Sequence, residues 1–146
     1  QSSRALENEL LSKLFLPYFD VINEMGNHDI FLENEFSNKA SATFSRFLYK
    51  ENKKLTLGMM TTILGFIYNE NGSSLKSSAL LQHFRIYAIE VTNATFLCKE
   101  TIKSLETITN VYRNKAAHLE KIESNGVLPF EIKMKETLNS LLNSIS

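Results

Sequence analysis

The sequence predicts an all-α protein, a bundle of five to six helices in one domain covering residues 1–146. Three observations lead there. Apolar residues recur at three- and four-residue steps through most of the chain, the spacing of a single helix face. Strand signals are weak, with no sustained alternation and no hairpin dipeptide between apolar runs; the best candidate, "RIYAIEVT", is embedded in helical spacing. A chain of 146 residues with 43% apolar and 22% charged content is large enough to bury a core without disulfide or metal staples.

The elements follow in order. In "ALENELLSKLFLPYFDVINEM", Leu6, Leu10, Leu14, Phe15, Tyr18, Phe19 and Ile22 form an apolar stripe, and Pro17 inside it should kink or divide the helix. "GNHDIFLENEFSN" reads as a connection. Asn38 then caps "KASATFSRFLYKEN", with Phe44, Phe47 and Leu48 inward. Thr56 caps "LGMMTTILGFIYNE", where Gly58 and Gly65 each cost about 1 kcal/mol relative to Ala and are expected to permit close packing. "NENGSS" is a turn. "LKSSALLQHFRIYAIEVT" is one helix with Leu80, Leu81, Phe84 and Ala88 on one side. Asn93 or Thr95 opens the long segment "TFLCKETIKSLETITNVYRNKAAHLEKIES", whose stripe is Ile102, Leu105, Ile108 and Tyr112. Asn125 and Gly126 end it, and Pro129 begins a last helix that buries Phe130, Leu138, Leu141, Leu142 and Ile145.

Composition narrows the function classes. Sixteen basic and sixteen acidic residues cancel, so no global field attracts nucleic acid or an anionic membrane, and any RNA binding must come from a local patch. No apolar run reaches the eighteen or so residues that a membrane span requires, and no signal peptide is visible. The one cysteine, Cys98, has no internal partner and fits a reducing cytoplasm; in "ATFLCKETI" it reads as a packed thiol on a helix. His28, Asp29, Glu33 and Glu35 crowd one loop without metal-ligand spacing, so neither a metal nor another cofactor is expected. His83 reads as a packed or surface histidine, and Arg85 and Glu90 as a local pair. The chain opens "QSSRAL" without an initiator Met, which reads as a piece of a longer protein.

One stretch stands apart. "NVYRNKAAHLEKI" places Arg113, Asn114, Lys115 and His118 within two helical turns. Metal-free RNA cleavage needs a base for the 2′-hydroxyl, an acid for the leaving 5′-oxygen and a cation for the phosphorane. Histidine changes charge near neutral pH, and the arginine fork can donate two parallel hydrogen bonds to a phosphate. Asn114 and His118 share a face, whereas Arg113 and His118 stand about 140° apart on an ideal helix. They converge if Arg113 wraps round, if the helix bends, or if a second copy faces the first. Ala116 and Ala117 leave room for that second copy or for a sugar-phosphate chain. Lys115 and Lys121 either widen a basic rim or are simply solvated; Tyr112 either stacks on a base or belongs to the core.

"RNKAAH", Arg113 to His118, resembles the R-N-x-x-x-H motif of the HEPN superfamily (higher eukaryotes and prokaryotes nucleotide-binding), an all-helical bundle that carries its motif late in the chain. "KKLTLGMMTTILGFI", residues 53–67, resembles the "LTLG" helix that precedes the motif in many bacterial members. The resemblance extends over most of the chain and is specific at these two places. It implies a homodimeric, metal-independent endoribonuclease in which two motifs meet in a shared cleft, leaving a 2′,3′-cyclic phosphate and a 5′-hydroxyl. His118 would transfer protons, Arg113 would clamp the phosphate and Asn114 would orient His118 or the substrate. A bacterial toxin or anti-phage defence role follows from the family, with an antitoxin or a fused effector domain as partner. Leu119 and Glu120 follow His118, so the form with a tyrosine two residues after the histidine is absent, which argues against the toxin branch paired with a nucleotidyltransferase. The alternative is a non-catalytic dimerisation or nucleotide-sensing module.

Overall fold

The computed structural model describes residues 2–25, 39–49, 55–92 and 96–113, together with the helical positions Glu136, Asn139, Ser140 and Asn143. These residues form an all-α helical bundle. The chain runs through α1 (Ser2–Leu10), a π-helical stretch (Leu11–Phe15), α2 (Leu16–Met25), α3 (Lys39–Tyr49), α4 (Leu57–Tyr68), the single turn α5 (Ser73–Lys76), α6 (Ala79–Val91) and α7 (Lys99–Arg113).

Pro17 neither breaks nor divides the first helix. The backbone stays helical on both sides of the π stretch, with φ/ψ of −61°/−43° at Leu10 and −66°/−42° at Leu16, and the Leu16 N–H reaches back to the Leu11 carbonyl. A proline removes one N–H and its ring crowds the carbonyl four residues earlier; the wider π turn just ahead of it absorbs both demands. The same turn resolves a problem of register. Leu6, Leu10, Leu14, Tyr18 and Ile22 recur every four residues, a spacing that drifts around an ideal α-helix. The slower rotation of the π stretch cancels much of that drift, and all five are buried together with Phe15.

The central helix is α4, which packs against α1, α3, α5, α6 and α7. A helix apolar on nearly every side has to lie inside the bundle, and Leu57, Met60, Ile63, Leu64 and Ile67 are all buried. Its start is as the sequence predicts: Thr56 is extended and its Oγ1 accepts the Met59 N–H at 3.2 Å. Leu55 and Met60, either side of that cap, are both buried, the positions of a hydrophobic staple. Around α4, the rings of Phe15, Tyr18, Phe44 and Phe84 join the first helix to α3 and α6, with centroids 4.8 Å apart for both Tyr18–Phe84 and Phe44–Phe84. Edge-on pairs of this kind add about 0.5–1.5 kcal/mol each beyond burial. Phe44, Phe47 and Leu48 face inward as expected.

Three expectations are corrected. The stretch from Leu75 to Thr92 is two helices: α5 ends at Lys76, and Ser78 caps α6 by accepting the Leu81 N–H at 3.1 Å. The Gln82 amide then donates to the Leu75 and Lys76 carbonyls, both at 3.0 Å, and so closes the end of α5 from the next helix. Gly65 is not a close-packing residue, because a Cβ built there meets nothing within 4 Å. Residues 96–98 form bends rather than helix, so Cys98 is a half-buried thiol just ahead of α7, its Sγ 3.3 Å from Thr101 Oγ1.

At the far end of the chain, Glu136, Asn139, Ser140 and Asn143 are helical and exposed. Their spacing is that of one helix face, the polar complement of the apolar stripe predicted for this segment. Phe130, Leu138, Leu141, Leu142 and Ile145 lie outside the described residues, as do the caps proposed at Asn38, Asn93 and Thr95 and the stop at Asn125–Gly126. Among the described residues, no helix is long and apolar enough to cross a membrane.

Candidate functional site

The motif is approached along α7. Ile102, Leu105 and Ile108 are buried at three-residue steps and seat this helix on α4, with Thr109 buried next to them. Between the two helices Thr109 Oγ1 and Thr61 Oγ1 share a buried hydrogen bond of 3.1 Å. At the other end, Leu97, just before α7, lines the same hollow as Tyr68, Asn69 and Glu70 at the end of α4. The two tie points require α4 and α7 to run antiparallel. One turn beyond Thr109 is Arg113; one turn before Thr61 is Leu57. At about 1.5 Å per residue, each lies about 6 Å further along its helix, at a common level of the bundle.

That level is where α4 begins. Thr56 caps it there, and the Leu57 N–H donates to Glu7 Oε2 at 3.2 Å, bringing a carboxylate from α1 to the positive end of the α4 dipole. The "LTLG" stretch at Leu55–Gly58 and the backbone of Arg113, the first residue of the motif, thus come to one end of the bundle although they are far apart in sequence.

Of the predicted site residues, Tyr112 and Arg113 have a described helical backbone, and their side chains lie outside the described part. Asn114, Lys115, His118 and Lys121 lie outside the described residues, as do His28, Asp29, Glu33 and Glu35. Among the described residues, no group of three or more His, Cys, Asp or Glu is placed to hold a metal ion.

The remaining candidates have structural partners. His83 Nδ1 lies 2.8 Å from the buried Tyr18 hydroxyl, a histidine packed between helices. Arg85 does not pair with Glu90: its guanidinium donates to the Ile67 carbonyl and to the Glu70 carboxylate. Five positions separate Arg85 from Glu90, which turns them to different sides of α6, whereas the end of α4 offers an open carbonyl and an acid. Burial, with the Asp20 carboxylate as the lesser cause, pushes the Tyr87 phenol above its ordinary value. Glu100, in the first turn of α7, is held below the usual carboxyl range, first by its own backbone N–H, then by the Cys98 side chain, with Lys99 and Lys103 adding to the effect.

Sequence reasoning missed one concavity. A shallow open hollow of about 350 Å³ is lined by Tyr68, Asn69, Glu70, Asn71, Arg85 and Leu97. It sits at the end of α4 opposite Arg113, and its arginine is already engaged by Glu70 and Ile67. The turn "NENGSS" was legible, but nothing local in the sequence indicates that Arg85 reaches it. Compared with protein-family models, curated proteins and solved structures, the chain finds no match.

Proposed function

We propose that this chain is a HEPN-like, metal-independent endoribonuclease domain that acts as a homodimer on RNA in a reducing cytoplasm, in a bacterial toxin or anti-phage defence setting. The observation that carries the reading is the place of the motif's first residue: the Arg113 backbone lies level with Leu57, at the start of the central helix. The all-helical architecture agrees with it as well.

In this reading His118 moves protons between the 2′-hydroxyl, the phosphorane and the leaving 5′-oxygen. Arg113 grips the non-bridging phosphate oxygens through its planar fork. Asn114 orients His118 or the substrate, Lys115 and Lys121 form the basic rim, and Tyr112 takes either the stacking or the core position. A second copy supplies the facing motif.

The test is incubation of the purified protein with structured RNA in EDTA, next to Arg113→Ala and His118→Ala. Cleavage by the parent alone supports the reading; equal cleavage by all three defeats it. The zero net charge favours one competing reading, a non-catalytic module that dimerises or senses a nucleotide beside an effector domain. That reading predicts a stable dimer whose binding behaviour survives His118→Ala.

A further inference from the structure

Within the proposed ribonuclease reading, on which this inference rests for its RNA context, we propose that the hollow at the far end of α4 reads one guanine base of the substrate strand. The hollow measures about 350 Å³ and is lined by Tyr68, Asn69, Glu70, Asn71, Arg85 and Leu97. Ligand sites run from roughly 300 to 1,000 Å³, so this one suits a single base rather than a folded strand. From Leu57 to Tyr68 the central helix rises about 16 Å. In the ribonuclease reading, the base held here is therefore several nucleotides away from the cut.

Three features select the ligand. The first is a donor set beside an acceptor: the Arg85 guanidinium donates to the Ile67 carbonyl and to Glu70 Oε1. These contacts take two of its five N–H groups and one of the two carboxylate oxygens. Closing the helix end requires only the bond to Ile67, whereas the Glu70 side chain is 70% exposed at the hollow. The second is charge. The pair cancels, and the C-terminal end of α4 carries partial negative charge, which disfavours a phosphate and favours an uncharged polar ring. Guanine offers the matching edge: its N1–H and N2–H face a carboxylate while O6 and N7 face a guanidinium. Adenine carries an acceptor at N1 and a donor at N6, which sets lone pair against lone pair and N–H against N–H. The third is a flat wall. Tyr68, at 36%, is the most exposed aromatic ring among the described residues, and stacking on it adds affinity for any base.

The probe is guanosine 5′-monophosphate, titrated into the full chain to about 10 mM and followed by the amide resonances of Asn69 and Asn71 and by Arg85 Nε–H. Adenosine 5′-monophosphate has the same sugar and phosphate, so shifts common to both report a phosphate bound elsewhere. We expect saturation with the guanine nucleotide and an affinity for the adenine nucleotide lower by on the order of 10-fold to 100-fold. Glu70→Gln keeps the length of an exposed side chain but exchanges an acceptor for a donor, and should abolish the preference for guanine. Tyr68→Ala should weaken both nucleotides about 10-fold, and Tyr68→Phe should bind as the parent does. A short RNA with one guanine should shift the same resonances at lower concentration than the mononucleotide; the reverse would assign the hollow to free nucleotide and overturn the inference. No saturable shift at the hollow, or no preference for guanine in the parent, would overturn it and leave the ribonuclease reading standing. Guanine-selective RNA binding by a protein that cuts nothing in EDTA would support the assignment of the hollow and remove the ribonuclease reading alone.

Discussion

Thr61 on α4 and Thr109 on α7 share a buried hydrogen bond of 3.1 Å, and that contact sets the level of the Arg113 backbone at the end of α7. Both side chains are 5% exposed, so removing one hydroxyl strands the other without water. Thr61→Val or Thr109→Val should each cost about 1–3 kcal/mol, the penalty for an unsatisfied buried group, whereas the double variant should cost clearly less than the sum. Urea unfolding of the four proteins measures this coupling, and strict additivity would show that the hydroxyls do not act as a pair.

Gly65 lies in the interior of α4 with open space where a Cβ would stand. Gly65→Ala should therefore stabilise the protein by about 0.5–1 kcal/mol through helix propensity and a less flexible unfolded chain. For a chain of this size that corresponds to a rise of roughly 2–4 °C per kcal/mol in melting temperature. A lower melting temperature in the monomer would mean that something packs closely over the position.

Ser45 on α3 is 1% exposed, and its hydroxyl has no hydrogen-bond partner among the described residues. Ser45→Ala removes a desolvated hydroxyl and installs the best helix former, so stability should rise by about 1 kcal/mol. Denaturant midpoints compare the two proteins directly; a fall would reveal that the hydroxyl has a partner after all.

The Tyr87 phenol is raised above its ordinary value by burial, with Asp20 contributing. The sign follows from proton counting: as pH climbs past about 10, the unfolded chain releases this proton before the folded one does. The stability contribution is complete below that pH and is lost as pH rises toward the folded-state pKa. Melting temperatures taken from about pH 9 to 11 should fall more steeply for the parent than for Tyr87→Phe. Parallel curves would show that Tyr87 is not the group responsible.

The parts of the fold legible in the sequence are those fixed by local rules. The stripe from Leu6 to Ile22, the Thr56 cap and the Ile102–Leu105–Ile108 face depend on residues within a turn or two of one another. Pro17 was read correctly as a disturbance, but its outcome depended on burying Leu14 and Phe15, which a π turn preserves and a break would forfeit. Ser77 and Ser78 fall inside helical spacing, so the new cap at Ser78 did not announce itself; helix propensity alone does not tell a capping serine from an interior one. Arg85 with Glu70, and Glu7 with Leu57, are contacts between elements for which no spacing rule exists. The candidate site divides in the same way. Its residue types were legible at Arg113, Asn114 and His118, while the place of the Arg113 backbone level with the start of α4 required the antiparallel packing of α7.

In the proposed reading, Arg113 and His118 act on one phosphodiester without a metal. The most direct measurement is mass spectrometry of the ends left on a defined RNA after incubation in EDTA, with the parent protein and with His118→Ala. The parent should leave 2′,3′-cyclic phosphate and 5′-hydroxyl ends, and the variant should leave the RNA uncut. Ends bearing a 3′-hydroxyl and a 5′-phosphate, or the same cyclic phosphate yield from His118→Ala, would contradict it.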